Sequence, residues 1–456
     1  MTEQVDAVVV GTGPGGEDIA IRLAEADLNV VAVERRLIGG ECPYYACIPT
    51  KMMLRASEVL AEGRKVPDLA GQAKVFPDWL PVADRIREEA TTGWDDEAAL
   101  RRLETAGVRL VRGTGRLAAR DQVTVSGPDG EQTFRARRAI VLNPGTEPLV
   151  PPIEGLSGTP YWTNRDAVTA TRAPRSLLVI GGGPVGLEFA QAFARFNTAV
   201  TVVESQPRPL PAGEPEASQA ISAALREEGV GLHLGRSVAR VEHDGTHFHA
   251  RLDNGQVLNV ERVLVASGRR TDLGALQVGA AGLDENARTI PVDERMRAAP
   301  GIWAIGDVTG HGAYTHVSVY QSRIAAADIL GREAEVASYR AVPSVVFTQP
   351  EVASVGLTEQ QARERQLNVR TALTDITTGA RGWIHQATQG IIKLVADADR
   401  EVLVGATVVS PAGGEVLSML TLAVHAEIPV RTLREMIYAY PTFHRSVVTA
   451  LAALHI

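Results

Sequence analysis

Residues Asp6 to Glu34 read DAVVVGTGPGGEDIAIRLAEADLNVVAVE, and residues Ser176 to Glu204 read SLLVIGGGPVGLEFAQAFARFNTAVTVVE. Each stretch opens with an apolar, β-branched run and passes through a Gly-x-Gly-x-x-Gly turn. An amphipathic helical pattern follows, and then a second apolar run that ends in glutamate. The glycines are Gly11, Gly13 and Gly16 in one copy and Gly181, Gly183 and Gly186 in the other; Glu34 and Glu204 each lie 23 residues after the first glycine of their copy. In such a turn the first glycine makes the tight strand-to-helix bend, the second lets backbone approach a pyrophosphate, and the third lets helix pack on strand. The helix N-terminus then offers unpaired N–H groups to the phosphates, and the closing acid accepts hydrogen bonds from ribose hydroxyls. One glycine pattern alone is weak. Strand, turn, helix, strand and acid in register, twice, predict an α/β fold with two Rossmann-like nucleotide-binding domains.

The rest of the chain sets bounds. At 456 residues it is too long for one ordinary core, and about three domains are expected. A formal charge of −8 gives no basic surface for nucleic acid. No stretch reaches the ~18 consecutive apolar residues of a spanning helix, so no membrane partner is expected. The strand-like run Val5 to Val10 has no charged-then-apolar leader before it, and a cytoplasmic location is the expectation. The segment from Pro67 to Leu117, with Trp79 and Trp94, reads as helix-like and carries no functional signal.

Both cysteines of the chain fall in one motif, Cys42-Pro-Tyr-Tyr-Ala-Cys47. A single short-range pair in a chain of cytosolic character points to redox catalysis or metal binding rather than to a secreted scaffold. No nearby His or Cys completes a zinc site, so no metal is expected. After the pair, Met52, Met53, Ala56, Val59 and Leu60 recur at helical spacing, and Pro49 suits a first helical turn. Cys47 is thereby placed at a helix N-terminus, where the dipole and Lys51 stabilise a thiolate. That is the form a cysteine needs for thiol exchange. Two buried, inert cysteines are the bland alternative.

Together these segments resemble class I flavoprotein disulfide reductases, the group of dihydrolipoamide dehydrogenase, glutathione reductase and mercuric reductase. The resemblance covers essentially the whole chain. It includes both glycine-rich units, Cys-x4-Cys-Ile-Pro-Thr-Lys51, Asn143-Pro-Gly145-Thr, Gly186-Leu-Glu188, Ala266-Ser-Gly268-Arg269, Ile302-Trp-Ala-Ile-Gly306-Asp307 and the run from Pro343 to Gly356. It implies an FAD-binding domain from residues 1–148 and 268–334, an NAD(P)-binding domain from 149–267 and an interface domain from 335–456 that builds a homodimer. It also implies that Asp307 binds the FAD ribityl chain and that Lys51, paired with Glu188, lies near flavin N5. Cys47 is then the thiol against the flavin, and Cys42 is the one that meets substrate. At Glu204 a carboxylate favours a free 2′-hydroxyl, so NAD(H) is expected over NADP(H), although Arg208 just downstream weakens the point.

One segment departs from the family. Relatives end in His-x-His-Pro-Thr-x-x-Glu, whose second His and Glu form the acid–base dyad. Here the stretch reads Tyr438-Ala-Tyr440-Pro-Thr-Phe-His444-Arg445, with Tyr440 in the catalytic position and Arg445 in place of Glu. A tyrosine, with an ordinary pKa of about 10, donates a hydrogen bond but is a poor base near neutrality. His444 is a candidate substitute, one helical turn along if the segment is helical. The cysteine loop also carries Tyr44 and Tyr45, which are either packing residues or part of an unusual acceptor pocket. Mercuric reductases also have an aromatic residue at the Tyr440 position, but they hand over metal through a terminal Cys-Cys, whereas this sequence closes on Ala452-Ala-Leu-His-Ile456.

The expected function is therefore an FAD-dependent NAD(P)H oxidoreductase that passes electrons through Cys42–Cys47 to a small electrophilic or disulfide acceptor. Two alternatives are a flavin-direct reductase or dehydrogenase of a quinone or specialised metabolite, and a flavoprotein redox sensor.

Overall fold

A computed structural model describes residues 2–333 and 335–456; the outer limits expected for the FAD-binding segments, residues 1 and 334, lie outside the described residues. The chain divides into two compact units. One comprises Met1–Pro49, Asp84–Pro148 and Arg269–Tyr339, and the other Thr50–Ala83, Leu149–Gly268 and Arg340–Ile456.

The first unit is built on a sheet whose strands run in the order Arg297–Ala299, Ile302–Ala304, Gly130–Leu142, Thr2–Val10, Val30–Glu34, Arg109–Arg112. From Ile302–Ala304 to Arg109–Arg112 the neighbours are parallel. The hairpin Thr114–Ala119 with Gln122–Gly127 extends the same sheet from the Gly130–Leu142 strand. Central parallel strands are covered on both faces and therefore read as continuous apolar runs. Alternation still sorts their side chains. Val8, Val10 and Val31 join one core cluster. Ala7, Val9 and Ala32 join another, with residues of the helices Pro14–Ala24 and Thr315–Ile329.

Besides a small antiparallel sheet of Val238–His243, Phe248–Leu252 and Val257–Val260, the second unit carries two larger sheets of different character. The parallel one runs Gly231–Leu234, Ala199–Glu204, Ser176–Ile180, Arg262–Val265, with the helices Pro184–Arg195 and Pro215–Glu227. The antiparallel one runs Pro343–Val346, Glu351–Gly356, Val402–Ser410, Ile391–Asp397, Val369–Asp375. The helices Gly413–His425 and Ser446–Ala453 bury Leu417, Leu420, Val447 and Leu451 in the core beneath this second sheet.

Lys393, on a central strand of the antiparallel sheet, is only 4 % exposed and pairs with Glu214 at 3.0 Å, Glu216 at 2.8 Å and Glu359 at 2.9 Å. Three carboxylates hold its ammonium well above the ordinary lysine pKa despite burial, which works the other way.

The helix-like reading of Pro67 to Leu117 holds only in part. Helical turns cover Leu80–Arg85, Ile86–Ala90 and Glu97–Thr105, but Arg109–Arg112 and Thr114–Ala119 are strands. Gly107 takes φ +84°, a conformation suited to glycine, and the amides of Gly107 and Val108 close on the carbonyls of Glu104 and Leu103. This stops the helix, after which Val111 and Leu117 supply strand spacing into the core.

Candidate active site

The two glycine-rich turns adopt nearly the same local structure. Gly11 has φ +93°, and a Cβ there would lie 2.2 Å from the Asn143 carbonyl oxygen. At Gly181, with φ +115°, a Cβ would lie 2.4 Å from the carbonyl oxygen of Ala266. Gly16 and Gly186 press on the carbonyls of Gly11 and Gly181, as close helix–strand packing requires. The helices Pro14–Ala24 and Pro184–Arg195 start at Gly13 and Gly183 with a proline in the first turn and no side-chain cap among the described residues.

Glu34 accepts from Thr12 N and Oγ1, both at 2.9 Å, and from Arg36 N at 2.8 Å. Glu204 accepts from Gly182 N at 2.6 Å and Gln206 N at 2.7 Å. Each carboxylate therefore ties its own glycine turn to the end of the second strand, a positioning duty that spacing alone did not reveal. Uncapped helix starts, glycines that leave the approach clear and an acid at the strand end form a donor set that fits a dinucleotide in each unit. Arg208 is engaged within its own loop. Its guanidinium donates to the carbonyls of Leu210, Pro211 and Gly213 and to Ser218 Oγ.

In the first unit, Thr146 Oγ1 donates to Asp307 Oδ2 at 2.8 Å and accepts from Arg269 Nε at 2.7 Å. The other Asp307 oxygen has no hydrogen-bond partner among the described residues, which suits a carboxylate meant for a ligand hydroxyl. Gly145, at φ +65°, accepts from Thr271 Oγ1 at 2.9 Å, and Gly306 takes φ +77° directly before Asp307. Gly268, at φ +117°, accepts from Leu149 N at 2.9 Å where the chain leaves the second unit.

The cysteines follow the expected local geometry. Cys42 lies in the short helix Glu41–Tyr44, and Cys47 is the first residue of the helix Cys47–Leu69. Both are half-buried and not bridged. Cys47 Sγ lies 3.4 Å from Thr315 Oγ1. The hydrogen bond of Cys42 to Cys47, with burial, pushes the Cys42 thiol far above its ordinary pKa, although Thr315 pulls the other way. The loop between them is propped from the side: Trp94 Nε1 donates to the Tyr44 carbonyl at 3.3 Å, and its ring stacks on Tyr45. Tyr44 is buried. Trp94 and Thr315 were missed in the sequence reading; a lone tryptophan beside Asp95 and Asp96 was the only available signal for the first.

In the second unit, Lys51 Nζ meets Glu188 Oε2 at 2.8 Å, and the other Glu188 oxygen accepts from Phe347 N at 2.9 Å. The ammonium also lies 4.6 Å from the centre of the Phe347 ring. Lys51 and Glu188 are thus brought together as the resemblance implied.

The Tyr440 segment is not helical. The peptide before Pro441 is cis, and the helix begins only at Ser446. His444 therefore does not lie one helical turn from Tyr440; it sits in a turn with its ring against Tyr438, 5.4 Å between centres. Tyr438 is buried and donates to the Leu433 carbonyl at 2.8 Å, whereas Tyr440 is 75 % exposed.

Residues 5–327 match the pyridine nucleotide-disulphide oxidoreductase model, and residues 342–451 match the dimerisation domain of the same group. The chain belongs to this family. It is an FAD-dependent pyridine nucleotide-disulfide oxidoreductase. It is 34% identical to the dihydrolipoyl dehydrogenase of Thermus scotoductus, over 99% of this chain and 97% of the relative. It is 31% identical to the mercuric reductase of Bacillus cereus, over 96% of this chain and 69% of that reductase. Among solved structures it is similar to the Cu(II) complex of the HOCl-induced flavoprotein disulfide reductase RclA from Escherichia coli, with TM-score 0.87, 27% identity and 99% of each chain covered. Among the described residues no helix is long and apolar enough to cross a membrane, and no group of three or more His, Cys, Asp or Glu side chains is arranged to hold a metal ion.

Proposed function

We propose that this enzyme uses NADH to reduce the Cys42–Cys47 disulfide and that Cys42 passes the electrons to a small electrophilic or disulfide acceptor. The observation that carries the reading is the cysteine pair itself: Cys47 at a helix start beside a hydroxyl, with Cys42 hydrogen-bonded to it.

Residues 1–148 and 268–334 hold FAD in this reading, through Gly11, Gly13, Gly16, Glu34, Gly145, Gly306 and Asp307. Residues 149–267 hold the nicotinamide cofactor through Gly181, Gly183, Gly186 and Glu204, and Gly268 turns the chain back. Residues 335–456, which include the family's dimerisation domain, join two copies into a homodimer in the cytoplasm. NADH is favoured because Glu204 offers a carboxylate to the ribose while Arg208 is spent on its own loop.

Bound FAD would supply the two-electron relay between the nicotinamide and the disulfide. Lys51, held by Glu188, places a positive charge for the flavin ring. Two electrons and one proton convert the disulfide to a Cys42 thiol and a Cys47 thiolate. The Cys42 sulfur attacks an acceptor disulfide and expels one thiolate, which takes up the proton that Cys42 releases. Cys47 then attacks Cys42, releases the second thiolate and restores the internal disulfide. Tyr440 donates a hydrogen bond to a leaving thiolate. With a tyrosine in that place the enzyme is suited to giving protons to a product, not to taking them from a dithiol substrate.

Acceptors that need no proton from a base fit this arrangement best. Thiophilic metal cations belong in the test set, since one relative is named a mercuric reductase and RclA was solved with Cu(II).

The experiment is steady-state NADH oxidation with glutathione disulfide, lipoamide, Cu(II) and a quinone, for the native enzyme and for Cys42→Ser. Acceptor reduction should collapse in the variant while NADH still reduces the flavin. Unchanged turnover in Cys42→Ser would show that the acceptor meets the flavin directly.

A further inference from the structure

Gln321 lies in the middle of the helix Thr315–Ile329 and is fully buried. A buried amide is costly unless each of its polar atoms is paired, and this one is paired entirely with one short stretch of chain and its support. Gln321 Oε1 accepts from Gly306 N at 2.6 Å. Its Nε2 donates to Thr309 Oγ1 at 2.9 Å and to the Tyr339 hydroxyl at 2.8 Å. Thr309 Oγ1 in turn donates to the Gly306 carbonyl at 2.9 Å.

The amide thus clasps both ends of the turn Gly306–Thr309, whose second residue is Asp307. Tyr339 secures the outer side of the clasp. Its hydroxyl reaches Met296 Sδ at 3.5 Å, and its ring lies parallel to that of His311, 4.0 Å between centres. Gly306 takes φ +77°, a conformation open to glycine, and a Cβ there would meet Asn143 Oδ1 at 2.7 Å, so only glycine fits this point of the turn. Asp307 is consequently fixed twice, at its carboxylate by Thr146 and at its backbone through Gln321.

We propose that Gln321 is a positioning residue for FAD, acting through the Gly306–Asp307 turn rather than by touching the cofactor. This rests on the reading that Asp307 holds the flavin side chain. Replacement by an apolar residue leaves the Gly306 N–H buried without an acceptor, and Asp307 loses its fixed aim. A carboxylate at the same position keeps the acceptor for Gly306, while the Thr309 and Tyr339 hydroxyls can rotate to donate to it.

The test compares Gln321→Leu, Gln321→Glu, Tyr339→Phe and Asp307→Ala by fluorescence of released FAD and by thermal unfolding of the FAD-free and FAD-loaded proteins. Gln321→Leu should weaken FAD binding by ~10- to 100-fold, the range of one buried hydrogen bond, with the FAD-loaded protein losing more of its melting temperature than the FAD-free protein. Gln321→Glu should recover most of the affinity, and Tyr339→Phe should lose a few-fold. Should Gln321→Leu fail to fold, the glutamate and Tyr339 variants decide alone. Native affinity in Gln321→Leu, or an equal loss of stability with and without FAD, would overturn the proposal, as would a Gln321→Glu no better than leucine. Native FAD affinity in Asp307→Ala would instead overturn the reading of Asp307 beneath it.

Discussion

Replacing Thr315 by valine tests how the thiolate is made. Valine keeps the branched shape of threonine but removes the hydroxyl 3.4 Å from Cys47 Sγ. When Cys47 is anionic, only the hydroxyl can donate in this contact, and a hydrogen bond to a charged group contributes about 1.5–3 kcal/mol. At 1.36 kcal/mol per pKa unit, its loss should raise the Cys47 pKa by about 1–2 units. The position of Cys47 at the start of the helix Cys47–Leu69 is untouched by the change, so the dipole contribution remains. The assay is an anaerobic pH titration of the NADH-reduced enzyme, following the long-wavelength absorbance that a thiolate lends to an adjacent oxidised flavin. On acidification this absorbance should vanish at a pH about 1–2 units higher in Thr315→Val than in the native enzyme, and Thr315→Ser should restore the native midpoint. An unchanged midpoint in the valine variant would refute the assignment of Thr315 as the donor.

Two further outcomes follow from the same geometry. Lys393→Met should cost about 3–5 kcal/mol in urea unfolding, because it leaves Glu214, Glu216 and Glu359 facing one another without their shared cation. Arg363 and Lys393 hold the Glu359 carboxyl below its ordinary value, so its contribution is complete above an unfolded pKa of about 4.3 and is lost as pH falls through the lower folded value. The methionine variant should therefore lose part of that acid-sensitive stability. Tyr440→His should raise turnover of glutathione disulfide or lipoamide by roughly 10-fold, short of the ~10² of a complete acid–base group because Arg445 stands where the orienting Glu would be; no gain would show that the missing base does not limit turnover of these disulfides.

What could be read from the sequence depends on how far apart the cooperating atoms lie along the chain. A pyrophosphate turn is made within one strand–turn–helix–strand unit, so Gly11 to Glu34 and Gly181 to Glu204 carry their own evidence. The same is true of Cys47 at its helix start. Thr315 reaches Cys47 across 268 positions and Gln321 reaches Gly306 through a helix face, and no period or spacing records either contact. The misread strands after Thr105 have a related cause, since Gly107 alone ends a pattern that apolar content would have continued.

The same separation orders the tyrosines. Tyr438 is accounted for by burial and its bond to Leu433, Tyr44 by burial, and Tyr45 by its stack on Trp94. Packing thus explains Tyr44 and Tyr45, the two residues offered as part of an unusual acceptor pocket, and Tyr438 with them. Tyr440 has no such duty: it is 75 % exposed and stands where the family keeps its base. Changing Tyr440 is therefore the most direct test of whether this position governs the choice of acceptor.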